Sequence, residues 1–509
     1  MRHLTLAALA ATGLAALAPG AEAQTACAAL ADLRIPNVNL LSATEVRGRE
    51  GLPDFCSVVG YVRPAINFEI RMPLEGWNGG FYMTGCGGFC GSVLIDAPGF
   101  INTPLPGLKR GYAVSTTDSG HWGAGSTDAR WAYHNRLAEV DWGDRGIRET
   151  AKVSKTVIAA FYGSEAQRSI FQGCSTGGRQ ANMLAVRDPE LFDGIINGAP
   201  ALDYTGLVAT FMAAMVQANT GPDGAQIITP EIVPLIQETV YGQCDGLDGL
   251  EDGLIADPSA CTVDWSKAMC APGASGPCLT NAQVATLATW YETGAVTSVG
   301  ERLYPATIPY GSEPYWWLWL TGNGKGGGNL VPLFNRNFLQ FMAFADDPGE
   351  GYTAADFDLD TDPQRLGLMA SLYNSDDPDL SKFAAAGGKM LTWHGMSDAI
   401  VPHGKTEDYY AEVVDAAGGV EAAQAFNRLF LVPGMDHCGL LKGPGPDQSG
   451  LDLLTAMEAW LDGQAPETIL ATKSDADGNA VWTRPVCAWP LQAEPVSGDG
   501  TAPEHFECR

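Results

Sequence analysis

The chain has 509 residues, a formal net charge of −29 at pH 7 and 12 cysteines. A field this acidic repels nucleic acid and other acidic polymers, which argues against nucleic-acid binding as the function. The length exceeds that of one ordinary hydrophobic core, so we expect either two domains or one core with a large insertion.

The first 23 residues have the pattern of a secretory signal peptide. Arg2 and His3 form a short basic start, residues 4–17 are almost wholly apolar, and residues 21–23 are a small-x-small cleavage site. No later run of 18 uncharged apolar residues predicts a membrane span. An even number of cysteines is typical of an oxidising compartment, so we predict a secreted or periplasmic protein that does not act at a membrane.

A nucleophile motif follows a short predicted strand at residues 169–172. Residues 173–177 read Gly-Cys-Ser-Thr-Gly, a Gly-x-Ser-x-Gly motif, and residues 179–186 are good helix formers. A helical period over residues 149–162 precedes the strand. In this strand–turn–helix context Ser175 is the candidate nucleophile, because the two glycines let a strained turn hold its hydroxyl clear of the backbone.

Further strands are predicted at residues 194–198, 389–393 and 429–432, with a helix near residues 406–414 between the last two. Alternating strands and helices indicate an α/β fold with a mostly parallel, doubly wound sheet, here an α/β-hydrolase fold. From about residue 203 this pattern gives way to Gly, Pro, Trp and polar turns. We therefore predict a catalytic domain of residues 24–202 and 377–509, with a lid domain of residues 203–376 inserted into it.

The nucleophile needs a base and an orienting acid, which should follow it along the chain. Asp398 comes after the strand at residues 389–393, and His437 comes after the strand at residues 429–432. Ser175, Asp398 and His437 therefore have the chain order of an α/β-hydrolase triad. His394 and His403 could also be the base, but they fit pocket lining or loop hydrogen bonding better. Asp436 could also be the acid, but adjacent residues on a loop usually point apart, so its side chain is expected to point away from His437.

An ester or amide hydrolase also needs two backbone N–H groups for the oxyanion. One is expected from Thr176, the residue after the nucleophile. The other is expected from the glycine-rich loop after the apolar run at residues 81–83, where we select Cys86, although the same residues also fit a plain glycine turn.

At these motifs the chain resembles the tannase and feruloyl esterase family, which also contains a hydrolase of mono(2-hydroxyethyl) terephthalate. The resemblance rests on residues 173–179, 394–398 and 433–438, and it extends from near Cys27 to Cys508. It implies an α/β-hydrolase core with a lid, and esters of aromatic acids as substrates.

The cysteine count alone leaves the disulfide pairing open. The resemblance implies a bridge that joins the residues beside the nucleophile and the base, together with four others: Cys174–Cys438, Cys27–Cys56, Cys244–Cys261, Cys270–Cys278 and Cys487–Cys508. Cys86 and Cys90 remain, and we expect a local bridge between them that makes the oxyanion loop rigid.

Residues 244–254 combine carboxylates with glycines. Calcium takes six to eight oxygen ligands, which such a turn can supply, but the spacing alone also fits a solvated acidic turn. The resemblance implies a structural calcium ion in the lid, far from the chemistry, held by the following residues: Asp245, Asp248, Asp252 and the carbonyl groups of Leu250 and Leu254. No organic cofactor is expected.

Aromatic side chains are frequent in the predicted lid, and some are expected to contact the ring of the substrate. The candidates, each of which also fits ordinary lid core, are Trp316, Trp317, Phe334 and Phe338. In the terephthalate enzyme a lid arginine holds the free carboxylate, and here Leu330 takes that position, with Lys325 and Arg336 nearby. Galloyl and feruloyl esters carry phenolic hydroxyls instead, for which neutral polar groups suffice.

The sequence therefore predicts a secreted serine carboxylesterase that acts on small aromatic esters, and it leaves the oligomeric state open. One alternative is a secreted serine aminopeptidase of the same fold, which needs an anchor for the substrate amine. Another is a hydrolase-like domain that binds without catalysis, against which the three candidate catalytic residues argue.

Overall fold

The structure is a computed structural model that describes residues 25–97, 102–273 and 276–509. The predicted signal peptide lies outside these residues. A nine-stranded sheet forms the centre, in the order β1-β2-β3-β5-β4-β6-β7-β8-β9. Its strands are β1 Val38–Val46, β2 Phe55–Val62, β3 Ile66–Pro73, β4 Gly80–Thr84, β5 Ala113–Thr117, β6 Arg168–Cys174, β7 Gly194–Gly198, β8 Lys389–Gly395 and β9 Asn427–Val432.

The sheet is antiparallel at one edge and parallel elsewhere. Strands β1 to β3 form an antiparallel meander, and β3 pairs antiparallel with β5. From β5 through β4 and β6 to β9 every pair is parallel. The prediction of a mostly parallel α/β-hydrolase sheet is confirmed, and the four strands expected from residue 169 onward are β6 to β9.

Fourteen α-helices accompany the strands in the described ranges. They are α1 Leu105–Lys109, α2 Arg136–Val140, α3 Gly146–Tyr162, α4 Thr176–Arg187, α5 Met212–Ala218, α6 Val233–Cys244, α7 Asn281–Ala288, α8 Trp316–Trp319, α9 Leu330–Phe341, α10 Gly367–Tyr373, α11 Ser381–Ala385, α12 Gly404–Ala417, α13 Val420–Gln424 and α14 Leu453–Leu461. The helices expected around residues 149–162, 179–186 and 406–414 are α3, α4 and α12. None of the helices in the described ranges is long and apolar enough to cross a bilayer.

Helices cover both faces of the sheet. Helices α3, α4 and α12 pack through Val157, Leu184 and Val413 into one buried apolar cluster. Helices α1 and α14 pack through Leu108 and Met457 into the cluster on the other face. Burial on both faces explains why the parallel strands are continuous apolar runs, which made them visible in the sequence.

Strands β7 and β8 are neighbours in the sheet, yet 190 residues separate them in the chain. Apart from residues 274–275, which lie outside the described part, this segment adds no strand to the sheet and is built of α5 to α11 and short turns. Its apolar residues share one buried cluster with Phe89 and Trp142, which precede the segment in the chain. The domain boundaries at residues 203 and 376 stay a prediction.

The six disulfides have the five pairings that the family resemblance implied and the local bridge expected between the two remaining cysteines. They are Cys27–Cys56, Cys86–Cys90, Cys174–Cys438, Cys244–Cys261, Cys270–Cys278 and Cys487–Cys508. The last of them lies in a C-terminal region of two small antiparallel sheets, formed by β10 Thr468–Ser474 with β11 Ala480–Cys487 and by β12 Ala493–Pro495 with β13 Phe506–Cys508.

Candidate active site

Ser175 occupies a sharp turn between β6 and α4. Its backbone has φ 66° and ψ −123°, a left-handed conformation that a residue with a side chain adopts only under strain. The surrounding backbone holds it there, because the Ser175 N–H donates to the Gly198 carbonyl at 3.0 Å and the Ser175 carbonyl accepts from the Arg179 N–H at 2.9 Å. This is the geometry of a nucleophile elbow, in which the hydroxyl points away from the strand and the helix.

The elbow closes tightly enough to require both motif glycines. A Cβ atom on Gly173 would lie 2.2 Å from the Gly177 carbonyl oxygen, and one on Gly177 would lie 2.7 Å from Oδ1 of Asn102. Asn102 brackets the turn, because its Oδ1 accepts from the Cys174 N–H at 2.9 Å and its Nδ2 donates to the Cys174 carbonyl at 3.2 Å. Asn102 is a supporting residue that the sequence analysis missed.

Asp398 follows β8 and His437 follows β9. Both lie at the edge of the sheet where β6 ends and Ser175 begins the turn. Carboxyl ends of parallel strands meet at one edge, which is why three distant segments converge here. The His437 Nδ1 lies 2.5 Å from Oδ2 of Asp398, and both side chains are buried. The Oδ1 atom of Asp398 accepts from the N–H groups of Ile400 at 3.0 Å and Val401 at 2.8 Å.

These contacts keep the Asp398 carboxyl ionised. Burial alone would raise its pKa, but the adjacent His437 and the hydrogen bonds from His394 and His437 outweigh that effect and hold the pKa well below its usual range. A charged carboxylate at Nδ1 keeps the hydrogen of a neutral imidazole on that atom, which leaves Nε2 of His437 free to accept a proton.

The disulfide between Cys174 and Cys438 joins the elbow to the loop that carries His437. The Cα atoms of the two cysteines are 6.0 Å apart, although 264 residues separate them in the chain. Ser175 and His437 each adjoin one of these cysteines, so their backbones run side by side.

The other acid and the two other histidines considered for the triad each have partners that explain their position. Nε2 of His394 lies 3.2 Å from Oδ2 of Asp398, the oxygen that also contacts His437, and His403 lies 3.3 Å from Glu407. Burial lowers the pKa of His403 to about 4, so it is neutral at ordinary pH. The Asp436 carboxylate accepts from the Leu441 N–H at 3.1 Å, and burial raises its pKa well above the usual range.

The glycine-rich loop after β4 lies against the elbow, but the N–H of Cys86 points inward. It donates to Oε1 of Gln180 in α4 at 3.1 Å, which argues against the prediction that Cys86 supplies an oxyanion donor. The N–H of the next residue, Gly87, has no acceptor within the described ranges. Thr176 begins α4, so its N–H is one of the first in the helix and lacks an intrahelical acceptor. Its hydroxyl donates to the Gly88 carbonyl at 2.7 Å, which ties the loop to the elbow.

The lid aromatics divide into three environments. Trp316 is wholly buried in the lid, where its Nε1 donates to Ser312 and its ring packs edge-on against Trp290, so this structure gives it no access to a substrate. Trp317 is 41% exposed on the surface. Phe334 and Phe338 both pack on Phe89, which follows the glycine-rich loop after β4, with ring centroids 5.3 and 6.2 Å away.

Trp319 is the lid aromatic in contact with the candidate base. Its ring meets the His437 imidazole edge-on, with centroids 5.4 Å apart, and its Nε1 is buried without a hydrogen-bond partner in the described part of the chain. Trp319 is not among the four aromatic residues selected from the sequence. A tryptophan every residue or two along α8 gives no signal of which one faces the triad.

The predicted calcium loop folds back on its own carboxylates. Asp245 Oδ1 accepts from the N–H groups of Asp252, Gly253 and Leu254 at 3.0 to 3.2 Å. Asp248 Oδ1 accepts from the Leu250 N–H at 2.9 Å. Burial raises the pKa of Asp248, and the charge of Asp252 raises it further. A cation would relieve this crowding of negative charge.

Some carboxylates of the loop nevertheless already have partners within the protein. Asp252 forms an ion pair with Arg484 of β11, and Asp245 faces backbone N–H groups. In the described ranges no three His, Cys, Asp or Glu side chains converge closely enough to hold a metal ion. The oxygen donors suit calcium in kind, whereas their arrangement here does not form a coordination shell.

Comparison with known proteins agrees with this architecture. The family model described as tannase and feruloyl esterase matches residues 46–508. An uncharacterized esterase of Xanthomonas campestris is 34% identical, with 99% of this chain and 94% of that protein covered. A mono(2-hydroxyethyl) terephthalate hydrolase of Piscinibacter sakaiensis is 32% identical, with 90% of this chain and 85% of that protein covered.

A crystal structure of feruloyl esterase B from Aspergillus oryzae has the same fold. It superposes with a TM-score of 0.80 at 26% identity and covers 95% of this chain and 100% of that chain. The family match spans most of the sequence, and the relatives named here are ester hydrolases. The chain therefore belongs to the tannase and feruloyl esterase family and is a carboxylic ester hydrolase.

Proposed function

We propose that this protein is an exported serine esterase that hydrolyses esters of phenolic aromatic acids through Ser175, His437 and Asp398. The observation that carries the proposal is the 2.5 Å contact of Asp398 with His437 on a loop bridged to the strained elbow of Ser175. The six disulfides support export, because such bonds persist in oxidising compartments.

In the proposed reaction the Ser175 hydroxyl attacks the ester carbonyl while Nε2 of His437 takes its proton. Asp398 holds the imidazole and stabilises the imidazolium that forms. The N–H groups of Thr176 and Gly87 donate to the oxyanion. His437 then returns the proton to the departing alcohol, which leaves an acyl-enzyme on Ser175. Water, deprotonated by His437, attacks the acyl group and releases the aromatic acid and the free serine.

The surroundings favour a neutral aromatic acyl group. Trp319 and Phe334 supply apolar ring surface beside His437 and Phe89, whereas Phe338, as fully buried as Trp316, packs on Phe89 as core. Leu330 is at the position where a terephthalate enzyme is expected to carry an arginine, and the nearby cations Lys325 and Arg336 are both exposed. These features support feruloyl or galloyl esters over terephthalate monoesters, because neither Leu330 nor the exposed Lys325 and Arg336 offers a buried cation to a free carboxylate.

A panel of esters tests this proposal directly. We expect kcat/KM for methyl ferulate or methyl gallate to exceed that for mono(2-hydroxyethyl) terephthalate by at least about 100-fold, the cost of a buried carboxylate without its partner. Initial rates on these three esters and on p-nitrophenyl acetate give the comparison. A preference for the terephthalate ester would overturn the proposed substrate class, and activity on acetate alone would remove the aromatic acids altogether.

The same assay addresses the two alternatives. A serine aminopeptidase would cleave an aminoacyl anilide faster than an aromatic ester. A domain that only binds would neither cleave an ester nor react with a fluorophosphonate. Ester hydrolysis together with covalent labelling supports the esterase proposal against both.

We propose further that the lid loop binds Ca²⁺ through the carboxylates of Asp245, Asp248 and Asp252 and the carbonyl oxygens of Leu250 and Leu254. The pKa of Asp248, raised by burial and by Asp252, supports a site that gains from a cation. In the described ranges the three carboxylates do not converge and Arg484 neutralises Asp252, so binding requires the loop to rearrange and the ion to compete with this guanidinium.

Calcium is expected to act on stability and not on the chemistry. A ligand at 100 times its Kd stabilises the folded state by about 2.7 kcal/mol, so millimolar Ca²⁺ should raise Tm by several degrees over protein in EGTA. We expect kcat at 25 °C to change less than about twofold. Asp248→Asn should abolish the calcium-dependent rise, whereas Asp264→Asn, an exposed aspartate outside the loop, should retain it. Identical melting curves with Ca²⁺ and with EGTA would show that the loop is only an acidic turn.

A further inference from the structure

The carboxylate of Asp398 has a fourth partner that the proposed mechanism does not use. His394, at the end of β8, is fully buried and places its Nε2 3.2 Å from Oδ2 of Asp398, the same oxygen that receives His437. The other oxygen already accepts two backbone N–H groups. Both oxygens of Asp398 therefore hold two donors each, and one of the four is an imidazole that does no proton transfer.

The contacts of His394 determine which nitrogen carries hydrogen. Its Nε2 faces two acceptors, the Asp398 carboxylate and the Val401 carbonyl at 2.7 Å, so Nε2 must be protonated. Its Nδ1 lies 2.9 Å from the hydroxyl of Thr406 in α12, which is also buried. In the neutral ring Nδ1 is an acceptor, and the Thr406 hydroxyl is then its donor.

Three structural elements meet at His394 and together orient the carboxylate of Asp398. Strand β8 supplies His394, the loop after it supplies Asp398 and Val401, and α12 supplies Thr406. The imidazole bridges all three, because its single Nε2 hydrogen is shared between the Val401 carbonyl and the Asp398 carboxylate while Nδ1 accepts from Thr406. A neutral His394 with the opposite tautomer would present a lone pair to two oxygen acceptors, which is repulsive.

We infer that His394 and Thr406 are positioning residues that hold the Asp398 carboxylate for His437, with the Thr406 hydroxyl fixing the tautomer of His394. The inference rests on the proposed function of the triad. It assigns neither residue a contact with the substrate, and therefore its effect falls on kcat and leaves KM nearly unchanged. Thr406 acts only through the hydroxyl, so its methyl group contributes packing alone.

Two substitutions at position 406 separate the hydroxyl from the packing. Thr406→Val keeps the shape but removes the donor, and kcat should fall about tenfold, as expected for one buried hydrogen bond, with KM within about twofold. Thr406→Ser keeps the donor and loses the methyl group, so it should restore kcat to within about threefold of the original. The rate of fluorophosphonate labelling of Ser175 should fall in parallel with kcat, because it reports the triad without the aromatic substrate.

Thr392→Val is the matched control. Thr392, in β8, is a buried threonine like Thr406. Its hydroxyl donates to Asn427 at 2.9 Å and not to His394. Its substitution should leave kcat unchanged, whatever it does to Tm. All rates are measured at a temperature at which near-ultraviolet circular dichroism reports each variant as folded.

Three outcomes decide the inference. Unchanged kcat in Thr406→Val, or equal losses in the Val and Ser variants, would overturn it, since the hydroxyl would then be irrelevant. An equal loss in Thr392→Val would reduce the effect to general packing. If the unsubstituted protein neither hydrolyses an ester nor reacts with the fluorophosphonate, the proposed function itself has failed, which is a distinguishable result.

Discussion

Replacing Ser175 by alanine is expected to lower kcat for aromatic esters by at least about 10,000-fold while the protein stays folded. Alanine keeps the Cβ atom, and the hydrogen bonds that residue 175 makes in the elbow use only its backbone. The change therefore removes the attacking oxygen and little else. Steady-state hydrolysis and mass-spectrometric detection of fluorophosphonate labelling provide the measurement, with Tm expected within about 2 °C of the original.

Ser154→Ala provides a control for the loss of a buried hydroxyl. Ser154 lies in α3, where its hydroxyl bonds that of Ser115 at 3.0 Å, beneath the sheet and apart from the elbow. This variant should lose some stability and keep its activity and its labelling. Residual activity above about 1% in the Ser175 variant would mean that another residue is the nucleophile.

Most residues of the candidate site could be predicted from the sequence, because each lies in a local motif and the motifs follow one another in a characteristic order. A Gly-x-Ser-x-Gly motif after an apolar strand predicts an elbow at Ser175, and a later acid and a later histidine, each after its own strand, predict Asp398 and His437. Parallel strands then bring the three segments to one edge of the sheet. The antiparallel meander β1 to β3 was not predicted, because an edge strand such as β1 is largely exposed and lacks the continuous apolar run of a buried parallel strand.

The supporting residues were invisible for a different reason. Asn102 acts on Cys174 and Gln180 acts on Cys86 through contacts across 72 and 94 residues, and no local pattern encodes such pairs. The direction of the Cys86 N–H depends on the distant amide of Gln180, so its role as an oxyanion donor stays a prediction that this contact argues against. Trp319 was missed because the rotation of a four-residue helix decides which of its tryptophans meets His437.

Removing the Cys174–Cys438 bridge is the second change with a large expected effect. In the double variant Cys174→Ala, Cys438→Ala, kcat should fall about 100-fold, because a displacement near 1 Å between reacting groups costs that much. The bridge spans 264 residues, so a chain-entropy argument also assigns it up to roughly 5 kcal/mol of stability. Activity is therefore measured well below the Tm of the variant, where the loss reflects geometry and not unfolding.

The double variant Cys487→Ala, Cys508→Ala separates the two effects. That bridge joins β11 to β13 in the C-terminal region, and its sequence separation is 21. Its removal should lower Tm while kcat stays within about twofold. If the Cys174–Cys438 variant behaved in the same way, the bridge would be a staple for stability alone. A fall of kcat that the Cys487–Cys508 variant does not share would mean that the Cys174–Cys438 bridge positions His437. The strained elbow orients the Ser175 hydroxyl, and the bridge then keeps His437 close enough to accept its proton.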